Sequence, residues 1–268
     1  MSSGRGRASL AAPVWGFGTD SEVMEDFWVY VAVGFLAQLV DGALGMAYGL
    51  TASSVLLSVG LPPVTVSATV HMAETFTTGV SAYAHHHFGN VDRQLFRRLV
   101  IPGVLGAVCG AYLLSGLPGD TIKPWVAGYI LLMGLVVVGK AFRPLPPTIV
   151  LSHVGTLGFF GALLDAIGGG GWGPVVASTL LARGNESRST IGTVNAAEFF
   201  VTLAASATFL LTVGFSHWRL IAALALGGVL AAPMAAYAAR WVPHRIMLLV
   251  VGLLIVAISA RTLYLAQA

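Results

Sequence analysis

Asp165-Ala-Ile-Gly-Gly-Gly-Gly-Trp-Gly173 interrupts an apolar stretch running from Ile149 to Gly184, and Asp41-Gly-Ala-Leu-Gly-Met-Ala-Tyr-Gly49 interrupts the stretch from Phe27 to Gly60 in the same way. Each glycine in a helix interior costs about 1 kcal/mol relative to alanine, so neither passage readily sustains a continuous helix. A shift of 124 positions lays Asp41 on Asp165, Gly45 on Gly169, Tyr48 on Trp172 and Gly49 on Gly173. Working outward, the same shift pairs Gly60 with Gly184, Thr69-Val70 with Thr193-Val194, and Glu74 with Glu198. In all, 15 of the 44 pairs from Phe35 to Thr78 are identical without a gap. After one inserted residue the match resumes at 125, with Gly103 on Gly228, Tyr112 on Tyr237 and Pro118 on Pro243. Residues 27–148 and 149–268 are therefore two copies of one unit, expected to share one local structure.

Composition sets the medium in which these units fold. Of 268 residues, 56% are hydrophobic and 9% charged, and the mean hydropathy is +0.84. Soluble domains carry roughly one-quarter charged residues, so a water-soluble fold is excluded as a sensible reading. Six segments approach the roughly 20 apolar residues that a membrane-crossing helix needs. They are Val64 to Phe88, Leu95 to Leu117, Ile122 to Phe142, Ser189 to Val213, Leu220 to Ala239 and Ile246 to Leu265. The net charge of +3 comes from basic residues scattered singly between apolar runs, without the basic stripe that binds nucleic acid. Cys109, the one cysteine, lies in an apolar run; it excludes an intrachain disulfide and reads as a small packing residue. Residues 1–26 are polar and then acidic, with no small-residue cleavage site after a short apolar stretch, and read as a disordered tail.

Lys and Arg concentrate in cytoplasmic loops, which gives the orientation. Arg93, Arg97, Arg98, Lys140 and Arg143 flank the first unit's segments, against Lys123 in the intervening loop. In the second unit the bias reverses: Arg183, Arg188, Arg240 and Arg245 outnumber Arg219 and Arg261, which hold the positions equivalent to the first unit's basic loops. Outside the tail this places nine basic residues inside and three outside, provided each broken segment enters and leaves by one face. At 1.5 Å per residue, the helix from Phe27 to Val40 is about 21 Å long and can reach mid-bilayer before turning back. The expected fold is an all-α polytopic membrane protein of two inverted repeats, each a Gly-rich broken, re-entrant hairpin plus three transmembrane helices, with both termini outside. Trp28, Trp125, Trp218 and Trp241 fall near segment ends, where interfacial aromatics sit.

Inverted repeats with broken helices are the architecture of many secondary transporters, with the solute held where the tips meet. Their glycines, Gly45 and Gly49 in one unit and Gly169, Gly170 and Gly173 in the other, serve either close helix packing or a bare backbone facing a ligand. The half-helices that restart near Gly49 and Gly173 present amides and a positive dipole end suited to an anion, and Pro174 suits a first turn. Asp41, Glu74, Asp165 and Glu198 lie at membrane depth, two per unit in equivalent places, where an acid is costly and marks a functional site by default. A structural alternative has the two Asp capping broken backbone and the two Glu protonated between helices. No Lys or Arg lies deep enough to neutralise them, which favours proton exchange for Glu74 and Glu198. His71 precedes Glu74 by three residues on one helical face, and Asn195 holds the matching place before Glu198. Both serve either as flanking groups of a central site or as satisfied core residues. Tyr48 and Trp172 complete the candidate binding set, to which Ser53, Ser54, Thr69, Ser178 and Thr193 add weaker hydroxyl candidates. His85-His86-His87 points in several directions along a helix and reads as an interfacial cluster rather than a metal site.

These features resemble the sulfite exporter TauE/SafE family of membrane transporter proteins. The resemblance covers nearly the whole chain after the tail and rests on Asp41 to Gly49 and Asp165 to Gly173, each followed by a helix bearing Thr69 to Glu74 or Thr193 to Glu198. It implies transport of sulfite, sulfonates or related small sulfur-containing anions in a bacterial inner membrane. The partners expected are the lipid bilayer and a small anionic solute, with oligomerisation open and no cofactor or nucleic acid. Enzyme signatures such as His-Glu-x-x-His and Gly-x-Ser-x-Gly are missing. A channel or carrier for cations using the intramembrane carboxylates is the competing reading.

Overall fold

The computed structural model describes residues 27–44, 46–142, 153–182, 187–214, 217–238 and 244–267. The tail, Gly45 and Trp241 lie outside them. Every regular element among the described residues is helical. In the first unit these are α1 (Phe27–Leu44), α2 (Tyr48–Ser58), α3 (Pro63–His87), α4 (Arg93–Ser115) and α5 (Gly119–Lys140). The second unit has α6 (Val154–Gly168), a π turn (Gly173–Ala177) running into α7 (Ser178–Ala182), then α8 (Ser187–Thr212), α9 (Trp218–Ala238) and α10 (His244–Gln267). Both glycine passages break the helix as expected, after Leu44 and after Gly168. Pro174 sits in the first turn of the π segment, where its missing N–H costs no hydrogen bond.

Among the described residues, five helices are long and apolar enough to cross a bilayer: Arg93–Ser115, Gly119–Lys140, Ser189–Thr212, Trp218–Ala235 and Leu248–Leu265, with mean hydropathy from 1.6 to 2.2. The sixth expected span, Val64 to Phe88, forms the 25-residue α3 but is too polar to join them by composition. The reason lies in packing. Ser67, Thr69, His71, Glu74, Thr77 and Thr78 of α3 are all buried, while Phe76, Val80 and Tyr83 are exposed, so its polar residues face protein. Its repeat counterpart α8 likewise buries Thr190, Thr193, Asn195, Glu198 and Thr202. The apolar bulk points outward instead, with Trp125 74%, Leu211 87% and Tyr264 73% exposed, the pattern of a protein solvated by hydrocarbon. Cys109, expected as a packing residue, is exposed on α4.

Helices pack across the two units in matched sets. α1 lies against α9 and its counterpart α6 against α4, while α3 pairs with α8 and α5 with α10. Individual contacts repeat as well. A Cβ added to Gly34 would stand 2.3 Å from the Leu224 carbonyl oxygen, and one added to Gly158 would stand 3.0 Å from that of Leu99; both residues of each pair are repeat counterparts. Gly103 receives Val201 and the Trp172 ring, as Gly228 receives Thr77 and the Tyr48 ring. Small residues that let helices approach this closely are the usual cement of helix pairs in lipid, where no hydrophobic effect drives association. At the centre, the repeat counterparts Thr78 and Thr202 bring their hydroxyls within 3.5 Å of one another.

Candidate functional site

Asp41 lies in the last turn of α1, and its Oδ1 accepts the Ala47 amide at 2.7 Å and the Tyr48 amide at 3.2 Å. Asp165 occupies the same place in α6, where Oδ1 accepts the Trp172 amide at 2.9 Å. Each carboxylate thus stitches the end of one half-helix to the start of the next, satisfying amides that the break leaves without helical partners. The aromatic residues that follow anchor the tips. Tyr48 donates its hydroxyl to the Leu224 carbonyl at 3.0 Å and Trp172 its indole N–H to the Val194 carbonyl at 3.2 Å, and both rings are buried.

The two tips touch. A Cβ on Gly170 would stand 2.4 Å from the backbone of Gly49 and Leu50, and one on Gly49 would stand 2.7 Å from the Gly170 Cα. Gly169, with φ +69, has its carbonyl oxygen bound by the Ser53 hydroxyl. Nearby, the Ser67 hydroxyl donates to the Ala166 carbonyl at 2.6 Å. Gly173 opens the π turn one residue beyond Trp172.

Around this contact the acids form one electrostatic group, in which Glu198 feels Glu74, Asp41 and Asp165. Glu74 lies beside the first tip, where a Cβ on Gly49 would stand 3.4 Å from its Oε1. Its Oε2, and Oε2 of Glu198, are buried without a protein hydrogen-bond partner. The two glutamates are only 4% and 5% exposed. These are repeat counterparts on the paired helices α3 and α8, each with a buried carboxyl oxygen that no protein donor reaches.

His71 breaks the symmetry. Its Nε2 stands 3.1 Å from Asp165 Oδ2, and its Nδ1 2.8 Å from the Ser67 carbonyl. A carbonyl only accepts, so Nδ1 carries a hydrogen; the contact with Asp165 then requires one further proton between imidazole and carboxyl. The pair is a protonable link between the two units at full burial. Asn195, its counterpart, meets no acid: it donates to the Ile191 carbonyl of its own helix at 3.0 Å and accepts from the Ser81 hydroxyl of α3 at 3.3 Å.

The other sequence candidates lie apart from the tips or serve the scaffold. Thr193 accepts the Asp92 amide at 2.8 Å, and Asp92 caps α4 through the Gln94 and Leu95 amides. His85, His86 and His87 form the last turn of α3, with His87 stacked on Tyr83. Ser178 bonds back to the Pro174 carbonyl. Two residues at the second tip escaped the sequence reading. Lys140, counted there as a loop charge, reaches back so that Nζ donates to the Pro174 carbonyl at 2.8 Å. Tyr129 of α5 lies against Gly168 and Gly171. Its repeat counterpart is Leu254, so duplication carried no signal for it.

Among the described residues no group of three or more His, Cys, Asp or Glu is placed to hold a metal ion, and the cation channel or carrier gains no support. The sequence model described as sulfite exporter TauE/SafE matches residues 30–262. The chain is 42% identical over 250 residues to the probable membrane transporter protein YtnM of Bacillus subtilis, covering 90% of this chain and 83% of that one. It is 27% identical over 137 residues to sulfite exporter TauE/SafE family protein 3 of Arabidopsis thaliana, covering 51% of this chain and 25% of the plant protein. No solved structure matches the chain. A family match across nearly all of the helical region and several helices fit to cross a bilayer identify a multi-pass membrane protein that belongs to the sulfite exporter TauE/SafE family of membrane transporters.

Proposed function

We propose that this transporter carries a small sulfur-containing anion, sulfite being the first choice, through the centre where the glycine tips meet, and that Glu74 and Glu198 carry the coupled proton. The observation that bears this reading is the pair of unpartnered Oε2 atoms on buried, repeat-related glutamates beside the tip contact. A fold gains nothing structural from such an oxygen, and an acid held in lipid surroundings is expensive, whereas a group that takes up and releases a proton during each cycle needs a free oxygen. Sulfite follows from the family description. The four acids require that the anion travel with protons or sit against donors away from the carboxylates.

In this reading the two units are inverted relative to one another in a bacterial inner membrane. α1 with α2, and α6 with the π turn and α7, form re-entrant hairpins from opposite faces. Alternating access then amounts to one unit rocking against the other about the paired helices α3 and α8, a motion supported by the matched packing between units. Single cysteines replacing Arg93 and Arg219, in a Cys109→Ser background, are expected to react with impermeant maleimide from opposite sides of the membrane. Reaction from a common side would overturn the inversion. For the cargo, proteoliposomes loaded with unlabelled sulfite should accumulate external radiolabelled sulfite by counterflow, with sulfonates competing. Liposome-level uptake of sulfite would refute the assignment of substrate.

A further inference from the structure

We infer that the Tyr129 hydroxyl is a solute-binding donor, holding an oxygen of the transported oxyanion at the second glycine tip and making the binding centre one-sided. The inference rests on the sulfur-anion reading above and adds to it a residue that the repeat does not encode. The hydroxyl oxygen of Tyr129 is buried and has no protein hydrogen-bond partner. Left permanently so, a buried phenol destabilises the fold, because its hydrogen bond to water is lost and not replaced. Every other aromatic donor at the tips is satisfied, Tyr48 by Leu224 and Trp172 by Val194.

Position makes the exception informative. A Cβ on Gly168 would meet the Tyr129 ring at 2.2 Å, and one on Gly171 would meet the hydroxyl at 1.9 Å. The extra glycines of the second passage are therefore the seat of this ring, and the first passage, with Leu44 and Ala47 at those places, has no such seat. Asp165 is within electrostatic reach of the phenol, yet its oxygens already serve the Trp172 amide and His71. Other polar groups addressing the second tip also come from the first unit: Ser53, Ser67 and His71. Their counterparts are Ala177, Ile191 and Asn195, and that of Tyr129 is Leu254. Three of these four cannot hydrogen-bond through their side chains. Ser53, Ser67 and His71 spend their donors on the protein, and Lys140 holds the Pro174 carbonyl, whereas the phenol at the same tip has no protein partner. A neutral donor suits an anion among acids, because it binds an oxyanion oxygen without adding a charge that the carboxylates would capture.

The test uses Tyr129→Phe in the full-length protein, with sodium sulfite as the probe in counterflow and in calorimetric binding to the purified transporter. Losing one donor to an anion is expected to raise the half-saturating sulfite concentration about tenfold or more, with the maximal rate kept and the melting temperature equal to or above that of the wild type. An unchanged half-saturation in Tyr129→Phe, beside saturable sulfite uptake by the wild type, would overturn the phenol's role alone. A lowered melting temperature with unchanged affinity would make the hydroxyl structural and overturn it too. Wild-type protein that neither binds nor exchanges sulfite would remove the substrate reading, and the phenol's assignment with it.

Discussion

Proton-driven uptake is expected to fall to the level of protein-free liposomes in Glu74→Gln and in Glu198→Gln, while sulfite counterflow, which needs no net proton movement, persists. Glutamine keeps the volume and one carbonyl oxygen, so the packing of residue 74 beside Gly49 is retained. What is lost is the ability to bind and release a proton at Oε2, an atom with no protein partner in either residue. The new side-chain NH2 stands where that oxygen had no donor to receive, at a cost of about 1 to 3 kcal/mol if it stays unpaired; melting temperature separates that effect from coupling. The measurement is uptake under an imposed pH gradient against counterflow at uniform pH. Wild-type response to the gradient in both variants would remove the coupling role from the glutamates. Equal loss of counterflow and of gradient-driven uptake would make them general requirements for transport instead.

The second large effect concerns the tips themselves. Gly170→Ala should destabilise the protein by about 3 kcal/mol and suppress transport, because the added Cβ would lie 2.4 Å from backbone atoms of Gly49 and Leu50. A flexible side chain can move aside, but here both colliding partners are main chain. Each segment is also tied down: Asp41 holds the Ala47 and Tyr48 amides, and Asp165 holds the Trp172 amide. Separating the tips would strain both caps. Gly128→Ala supplies the control, since nothing lies within 4 Å of a Cβ there and alanine favours a helix by about 1 kcal/mol over glycine. Thermal unfolding in detergent should show a drop for Gly170→Ala and none for Gly128→Ala. A wild-type melting temperature in Gly170→Ala would mean that the tips do not meet in the folded protein.

Much of this molecule was legible in one dimension. Hydropathy and the low charge content indicate helices in lipid because the bilayer demands that every backbone amide and carbonyl be satisfied within its own segment. The two helix breaks were visible because glycine acts through its own backbone, and they fall at Leu44 and Gly168 as read. Duplication identified which acids correspond. The polar face of α3 was the first limit: Ser67, Thr69 and Thr77 are ordinary in a membrane helix, and nothing along the chain shows that they are buried against protein. Lys140 was another, since a long side chain can return to a site from the end of its helix.

Sequence by itself determined the membrane class, the tandem units, the place of each break and the four equivalent acids, all of them properties of a local stretch or of its copy. Only the tertiary structure decided that Asp41 and Asp165 spend an oxygen on their own tips, that His71 reaches Asp165 of the other unit, that Glu74 and Glu198 keep an oxygen unpartnered, and that Tyr129 brings an unpartnered hydroxyl to the second tip. The physical reason is that hydrogen-bond satisfaction is a property of pairs. His71 and Asp165 are 94 positions apart and Tyr129 meets its glycines from another helix, and no spacing along the chain records which partners such packing brings together or leaves without one.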